Sequence, residues 1–356
     1  MSHVYIIAEA GVNHNGKPKA AFQLVDAAVA AGADAVKFQT FKAEKLTTAL
    51  AGKADYQKQA TGSRENQLEM LRGLELQQVF HYELRDYCRG RGIEFLSTAF
   101  DFDSLVFLAN EVGVSRLKIP SGEINNGPFL LAHAQTGKEL VLSTGMAGLG
   151  EVETALGVLA FGYLGWEAPS LERFRLAYEN SAGHDILKQK VTLLHCTSEY
   201  PTPPEHVNLK AMDTLAHAFE LPVGYSDHTV GLAVPIAAVA RGAVLIEKHF
   251  TLDRNQPGPD HQVSLEPEEL KQMVAAIRCV ESALGSARKT PQKEELKTRD
   301  VARKSVVAAR EIGRGETFGV ENLTFKRPGT GRSPMDYWRL LGRTSERDYR
   351  VDDLIE

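Results

Sequence analysis

Eight short apolar runs, most of them followed by a stretch with helical spacing, constrain the fold of this chain more than any other feature. The runs are Val4–Ala8, Ala35–Phe38, Glu94–Leu96, Arg116–Ile119, Glu139–Leu142, Val191–Leu194, Val223–Tyr225 and Val244–Ile246. Several are apolar throughout, as strands buried on both faces should be. Between them lie amphipathic stretches: Ala20–Ala31, Val79–Arg89, Ser104–Val112, Val152–Leu159, Lys210–Phe219, Ala233–Arg241 and Pro267–Leu284. This alternation predicts an α/β fold, a (β/α)8 TIM barrel over residues 1–284.

Two segments interrupt the repeat. Thr47–Leu74 is polar and reads as a long loop with a short helix, placed to cover the barrel mouth. Gly165–Lys190 is a mixed, charge-containing insertion that reads as surface helix. Residues 285–302 are rich in charge and poor in apolar side chains, which makes them a linker. Residues 303–356 carry apolar positions Val306, Val307, Ile312, Phe318, Leu323 and Phe325 between glycine turns, so they form a small β-rich module expected to dock on a barrel.

In a barrel the chemistry sits at the C-terminal ends of the strands, and here all eight runs end in polar residues. Packing needs none of these groups, and burying unpaired charge costs several kcal/mol or more. Lys37 and Lys118, with hydroxyls from Thr98, Ser121, Ser143, Thr144 and Ser226, supply cations and small donors suited to a phosphate and a carboxylate. The formal net charge of -5 offers no global pull on anions, so such a substrate has to be captured locally. His228 and His249 lie one βα repeat apart, on neighbouring strand ends. Neutral imidazoles there suit a borderline divalent ion such as Mn²⁺, Co²⁺ or Zn²⁺, and equally two hydrogen-bonded structural histidines. His195, on the next strand, reads as a satisfied core histidine. Glu9 and Glu123 are carboxylates that serve either as bases or as lysine partners, and Asp260, on a proline-bracketed loop, either faces sugar hydroxyls or caps a turn.

The composition excludes other classes. The charge balance gives no footing for nucleic acid, and three widely spaced cysteines with no Cys-x-x-Cys pair fit a reducing cytoplasm. The apolar start MSHVYIIAEAG is too short for a signal peptide and no later stretch reaches membrane-span length, so a soluble cytoplasmic protein is expected.

The ordered motifs EAGVNHNG, VKFQT, LKIPSGE, LSTGM, HCTSEYPTP, GYSDHT, EKHF and PGPDH resemble the sialic acid synthase family across nearly the whole chain. The tail, SVVAAREIGRGETFGVENLTFKRPGTG, resembles the antifreeze-like (SAF, β-clip) domain that ends these synthases. The resemblance implies condensation of phosphoenolpyruvate with an open-chain N-acylmannosamine-type sugar, followed by addition of water at C2 and loss of phosphate. It implies that His228 and His249 hold a divalent metal, Mn²⁺ first with Mg²⁺ or Co²⁺ as alternatives, which polarises the aldehyde oxygen, while Glu9 orients or deprotonates the water associated with that ion. Lys37, Thr98, Lys118, Ser121, Ser143 and Ser226 would hold phosphoenolpyruvate; Gln39, Glu123, Tyr200 and Asp260 would hold the sugar. Arg327 would reach the sugar's N-acyl group from the tail of the other subunit, which implies a domain-swapped homodimer. FKAEKL, KADYQKQ and SPMDYW look more like the branch that makes N,N'-diacetyllegionaminate from 2,4-diacetamido-2,4,6-trideoxymannose than the branch that uses N-acetylmannosamine, and Ser198-Glu199 stands where many relatives that make N-acetylneuraminate carry Asn and an aliphatic residue, which leaves the ring substituents open. The rival enzyme is a metal-dependent pyruvate aldolase on the same barrel, which has no use for the lysine and hydroxyl cluster. A Schiff base at Lys118 fits less well with the histidine pair, and a purely ice- or carbohydrate-binding role leaves the polar strand ends unexplained.

Overall fold

The computed structural model describes residues 3–48, 50–54, 57, 58, 61 and 66–356. They fall into two units, Met1–Gly285 and Ser286–Glu356. The first is a closed barrel of eight parallel strands in sequence order: β1 (Tyr5–Gly11), β2 (Ala35–Thr40), β3 (Glu94–Ala99), β4 (Arg116–Ile119), β5 (Glu139–Ser143), β6 (Val191–His195), β7 (Val223–Asp227) and β8 (Leu245–His249). β8 closes on β1 with Glu9 opposite His249. Most strands run one to three residues beyond the apolar runs, so many of the polar groups lie in the strands themselves. Hydrogen bonding continues past the apolar core because the neighbouring strand supplies partners there, as Gln39 and Thr40 find opposite Thr98 and Ala99.

Period-two alternation stacks the barrel interior in layers. At the N-terminal end Tyr5 donates its hydroxyl to Glu94, Arg116 lies 4.5 Å over the Tyr5 ring, and its guanidinium meets Glu139 at 2.8 Å. Above them Ile7, Ala35, Leu96, Val141, Leu194 and Leu245 form a closed apolar layer. Gly224 belongs to this level because a Cβ there would come within 2.4 Å of the Leu245 carbonyl and 2.7 Å of Leu194. Two residues further along each strand the inward positions turn polar.

Pro267–Leu284 is a helix as the spacing predicts, whereas the expected Ser104–Val112 helix divides into an α segment, Phe102–Val106, and a π segment, Phe107–Val112. Spacing gave no signal for Gly127–Gln135, a helix that follows β4 and starts at Asn126, whose side chain accepts from Phe129 N. The 165–190 insertion forms two helices, Leu171–Glu179 and Ser181–Lys190, packed on Leu149–Tyr163 through close approaches at Gly157 and Gly183.

Within the stretch 285–302 read as a linker, Lys293–Ala302 is helical with no buried residue. The module that follows pairs β9 (Ser305–Ala308) antiparallel with β10 (Leu323–Lys326) around its own core of Val306, Ala308, Ile312, Phe318, Leu323, Leu340, Tyr349 and Ile355. Among the described residues no helix is long and apolar enough to cross a membrane. Cys88, Cys196 and Cys279 are all unpaired thiols.

Candidate active site

The polar strand ends surround a cavity of about 430 Å³, within the range of small-molecule sites. Of the residues singled out from sequence, Glu9, Lys37, Gln39, Thr98, Lys118, Ser121, Ser143, Tyr200, Ser226, His228, His249 and Asp260 all line it. Glu123 does not, since it sits in the 3-10 turn after β4 and accepts from Asn126 Nδ2 at 2.7 Å. Arg327 is an exposed residue of the second unit, where its Nε donates to the Ala302 carbonyl. His195 points away from the cavity, with Nε2 2.6 Å from the Val207 carbonyl, the satisfied histidine expected of it.

The floor differs from a bare cationic pocket because each lysine meets a carboxylate. Lys37 Nζ lies 2.7 Å from Glu9 and 3.5 Å from Glu247, and Lys118 Nζ lies 3.6 Å from Glu247. Lys37 also donates to Thr98 Oγ1 (3.0 Å), Lys118 to Ser143 Oγ (2.7 Å), and Ser226 Oγ to Glu247 (2.7 Å). Sequence reasoning gave Glu247 no role. The signal was its place two residues before His249, which puts both on the inner face of β8. Burial works against the Lys37 charge, but Glu247 and Glu9 outweigh it and hold its pKa above the ordinary lysine value. Burial lowers Lys118, only partly offset by Glu247. Burial also raises Glu9 against the pull of Lys37, while at Glu247 the two lysines overcome burial and keep the carboxylate ionised. One carboxylate is thus committed to charge and the other is poised to take up a proton.

Beside Lys118, Ser121, Cys196 and Ser198 converge on Gly145. A Cβ there would lie 2.5 Å from Ser198 Oγ, 2.8 Å from Ser121 Oγ and 2.9 Å from Cys196 Sγ, so a side chain at this position would push all three away. Its N–H donates to Ser121 Oγ. Ser198 adds a hydroxyl, and Cys196 a thiol, to the set read from the sequence.

On the opposite side Glu9, Gln39 and Asp260 gather around Gly11, whose φ of +52° suits a residue without a side chain. Burial alone raises the Asp260 carboxyl to about 6. The wall above is apolar: Val12, Leu46, Met70, Leu71, Leu74 and Phe100 line the cavity and belong to one cluster, into which the short helices Ala43–Leu46 and Gln67–Arg72 pack. The stretch 47–74, expected to cover the mouth, therefore contributes a cavity wall; Asp55, Tyr56 and Gln59 of KADYQKQ lie outside the described residues.

His228 and His249 face each other with ring centroids 5.7 Å apart, and Tyr200 packs at 4.1 Å from the His228 ring. Burial lowers the pKa of both imidazoles, most strongly at His249, where the charges on His228 and Lys37 add to it. His228 Nδ1 donates to the Thr197 carbonyl at 2.7 Å, which leaves the Nε2 lone pair available, and His249 Nδ1 is buried without a hydrogen-bond partner. Neutral rings and an orphaned buried nitrogen fit a divalent cation. Among the described residues no third histidine, cysteine or carboxylate completes a set, so substrate oxygens and water would fill the remaining positions.

The family model described as NeuB family matches residues 24–289, and the SAF domain model matches residues 303–355. The N,N'-diacetyllegionaminic acid synthase of Campylobacter jejuni is 48% identical over 355 residues, which is 100% of this chain and 99% of the relative. The enzyme of the same name from Legionella pneumophila is 47% identical over 338 residues, 95% of this chain and 89% of the relative. A crystal structure of the N-acetylneuraminic acid synthetase of Leptospira borgpetersenii, in complex with citrate, aligns with a TM-score of 0.66 at 32% identity, covering 83% of this chain and 90% of that one.

Proposed function

This chain belongs to the NeuB family, and from that premise we propose that it joins phosphoenolpyruvate to 2,4-diacetamido-2,4,6-trideoxymannose to give N,N'-diacetyllegionaminate and phosphate. It is a phosphoenolpyruvate-dependent sialic acid synthase; the exact sugar is our reading. What carries that choice is the likeness to two legionaminic acid synthases over nearly their full lengths, well above that to the neuraminic acid synthetase. The apolar wall of Leu46, Met70 and Leu71 supports it. A methyl group set against that wall gains about 0.8 kcal/mol per buried carbon, whereas a hydroxyl desolvated there without a partner loses about 1–3 kcal/mol.

Lys37, Lys118, Thr98, Ser143 and Ser226, with Ser121 beside Gly145, hold the phosphate and carboxylate of phosphoenolpyruvate at the floor. The incoming anion competes with Glu9 for Lys37, which frees the Glu9 carboxylate. The methylene carbon then forms a bond to the sugar aldehyde carbon as the carbonyl π pair moves onto the aldehyde oxygen, which takes a proton and becomes a hydroxyl. Water adds to the electron-poor C2, with Glu9 orienting it and taking one proton, and the second proton leaves with phosphate as the C2–O bond breaks to give the keto acid. Gln39, Tyr200 and Asp260 hold the open-chain sugar; Glu123, which does not line the cavity, is left out of that set. His228 and His249 would hold a divalent ion, Mn²⁺ in our reading, which when bound polarises the aldehyde oxygen. Arg327 reaches the N-acyl group in a domain-swapped homodimer, with the barrel, residues 1–284, as the catalytic body and residues 303–356 as its cover. Unpaired thiols fit a cytoplasmic setting.

The test is phosphate release from phosphoenolpyruvate by metal-stripped protein given Mn²⁺, with each of the two sugars. A higher kcat/KM with the diacetamido sugar is expected; a preference for N-acetylmannosamine overturns the choice of branch, and no release with either returns the aldolase.

A further inference from the structure

We propose that Asp227 and Lys248, which face away from the cavity, are positioning residues that set the separation and tilt of His228 and His249. The two lie directly opposite in the β7–β8 register. Each is flanked in sequence by inward-facing residues, Asp227 by Ser226 and His228, and Lys248 by Glu247 and His249, and those four line the cavity while Asp227 and Lys248 do not. Lys248 is fully buried and Asp227 is 1% exposed. Lys248 Nζ meets Asp227 Oδ2 at 2.6 Å and also donates to the Thr229 carbonyl. The same carboxylate accepts from Thr229 N (3.0 Å), Thr229 Oγ1 (3.1 Å) and the Tyr225 hydroxyl (3.1 Å). His228 is the residue enclosed by this clasp.

Stability does not account for it. Desolvation costs several kcal/mol per ion, and apolar replacement of a buried ion pair is often neutral or stabilising. What a directional clasp gives, and an apolar pair does not, is a fixed register: β7 and β8 cannot slide without breaking several hydrogen bonds at once. Misplacement of a reacting or ligating group by about 1 Å is enough to cost orders of magnitude in function. Two ligands on two strands are sensitive to such a slide in a way that Lys37 and Thr98, already bonded across β2 and β3, are not.

The inference rests on the reading that the two histidines hold a divalent ion. The experiment is Mn²⁺ affinity, followed by calorimetry and by the EPR signal of bound Mn²⁺, on the metal-stripped full chain. The Asp227→Leu, Lys248→Met double variant removes both charges together. Expected are a melting temperature near wild type, roughly ten-fold or greater weakening of Mn²⁺ binding with a broadened spectrum, and a smaller loss of phosphoenolpyruvate affinity without metal, since of the residues that would hold it only Ser226 lies on β7. Wild-type Mn²⁺ affinity in that variant overturns the proposal. If it does not fold, Thr229→Val keeps the ion pair and removes one bond to the carboxylate; roughly three-fold weaker binding supports the clasp and an unchanged affinity overturns it. A His228→Ala, His249→Ala variant separates the two ideas. If it binds Mn²⁺ as wild type does, the metal reading falls and the clasp with it; if it alone loses binding, only the clasp falls.

Discussion

Glu9 and Asp260 are two carboxyls near Gly11 whose pKa values burial has moved upward, and each leads to a distinct expectation. Glu9 must be ionised to accept a proton, so kcat/KM for phosphoenolpyruvate should rise with pH on its acid side and do so above the ordinary carboxylate range. Glu9→Gln is expected to lower kcat by about 10²- to 10⁴-fold and to abolish that limb in a pH–rate profile. Asp260 holds its proton more tightly folded than unfolded, so the folded state loses stability as pH rises from the ordinary value of 3.8 to about 6, and no more beyond. Asp260→Asn is therefore expected to stabilise the protein by up to about 3 kcal/mol above pH 7 and by little below pH 4, read as denaturant midpoints at the two pH values, while it weakens sugar use. Twelve of the site residues named from sequence line the cavity because residue type at a strand end reports directly on the barrel mouth. Which carboxylate pairs with which lysine was not legible: it depends on strand tilt around the barrel, which brings Glu247 on β8 within reach of Lys37 on β2, two strands away.

The strands were legible as elements because their apolar runs are buried on both faces, yet their ends were not, since polar inward residues look like loop in a sequence and are strand in the barrel. The segment 47–74 was legible as irregular but not as a wall. Its apolar residues, Met70, Leu71 and Leu74, are few and sparse along the chain, and they make a surface only once Val12, Phe41 and Phe100 arrive from other strand ends. At this scale we expect Met70→Ser to narrow the preference for the 6-deoxy sugar over its 6-hydroxy counterpart by roughly ten-fold, seen in the ratio of kcat/KM values, with kcat on the preferred sugar little changed. A ratio that does not move takes the wall out of the recognition of the sugar.

For the molecule as a whole, the division into barrel and module was legible from composition, whereas the helix Lys293–Ala302 was hidden because it buries nothing and so has no apolar stripe to read. The proposed exchange of modules between subunits makes a prediction that neither unit alone can. His249→Ala disables a barrel and Arg327→Ala disables a module, and each variant alone should be nearly inactive. Co-expressed at equal levels and purified as mixed dimers, they should recover roughly half of wild-type activity if modules serve the opposite barrel, and none if each serves its own. The apolar layer of Ile7, Ala35, Leu96, Val141, Leu194 and Leu245 has a consequence for traffic. It makes the chamber a blind well in which whatever sits on the lysines entered first. With phosphoenolpyruvate on the lysines, as we propose, entry is expected to be ordered, the acid before the sugar, which initial-rate patterns with the two substrates would show.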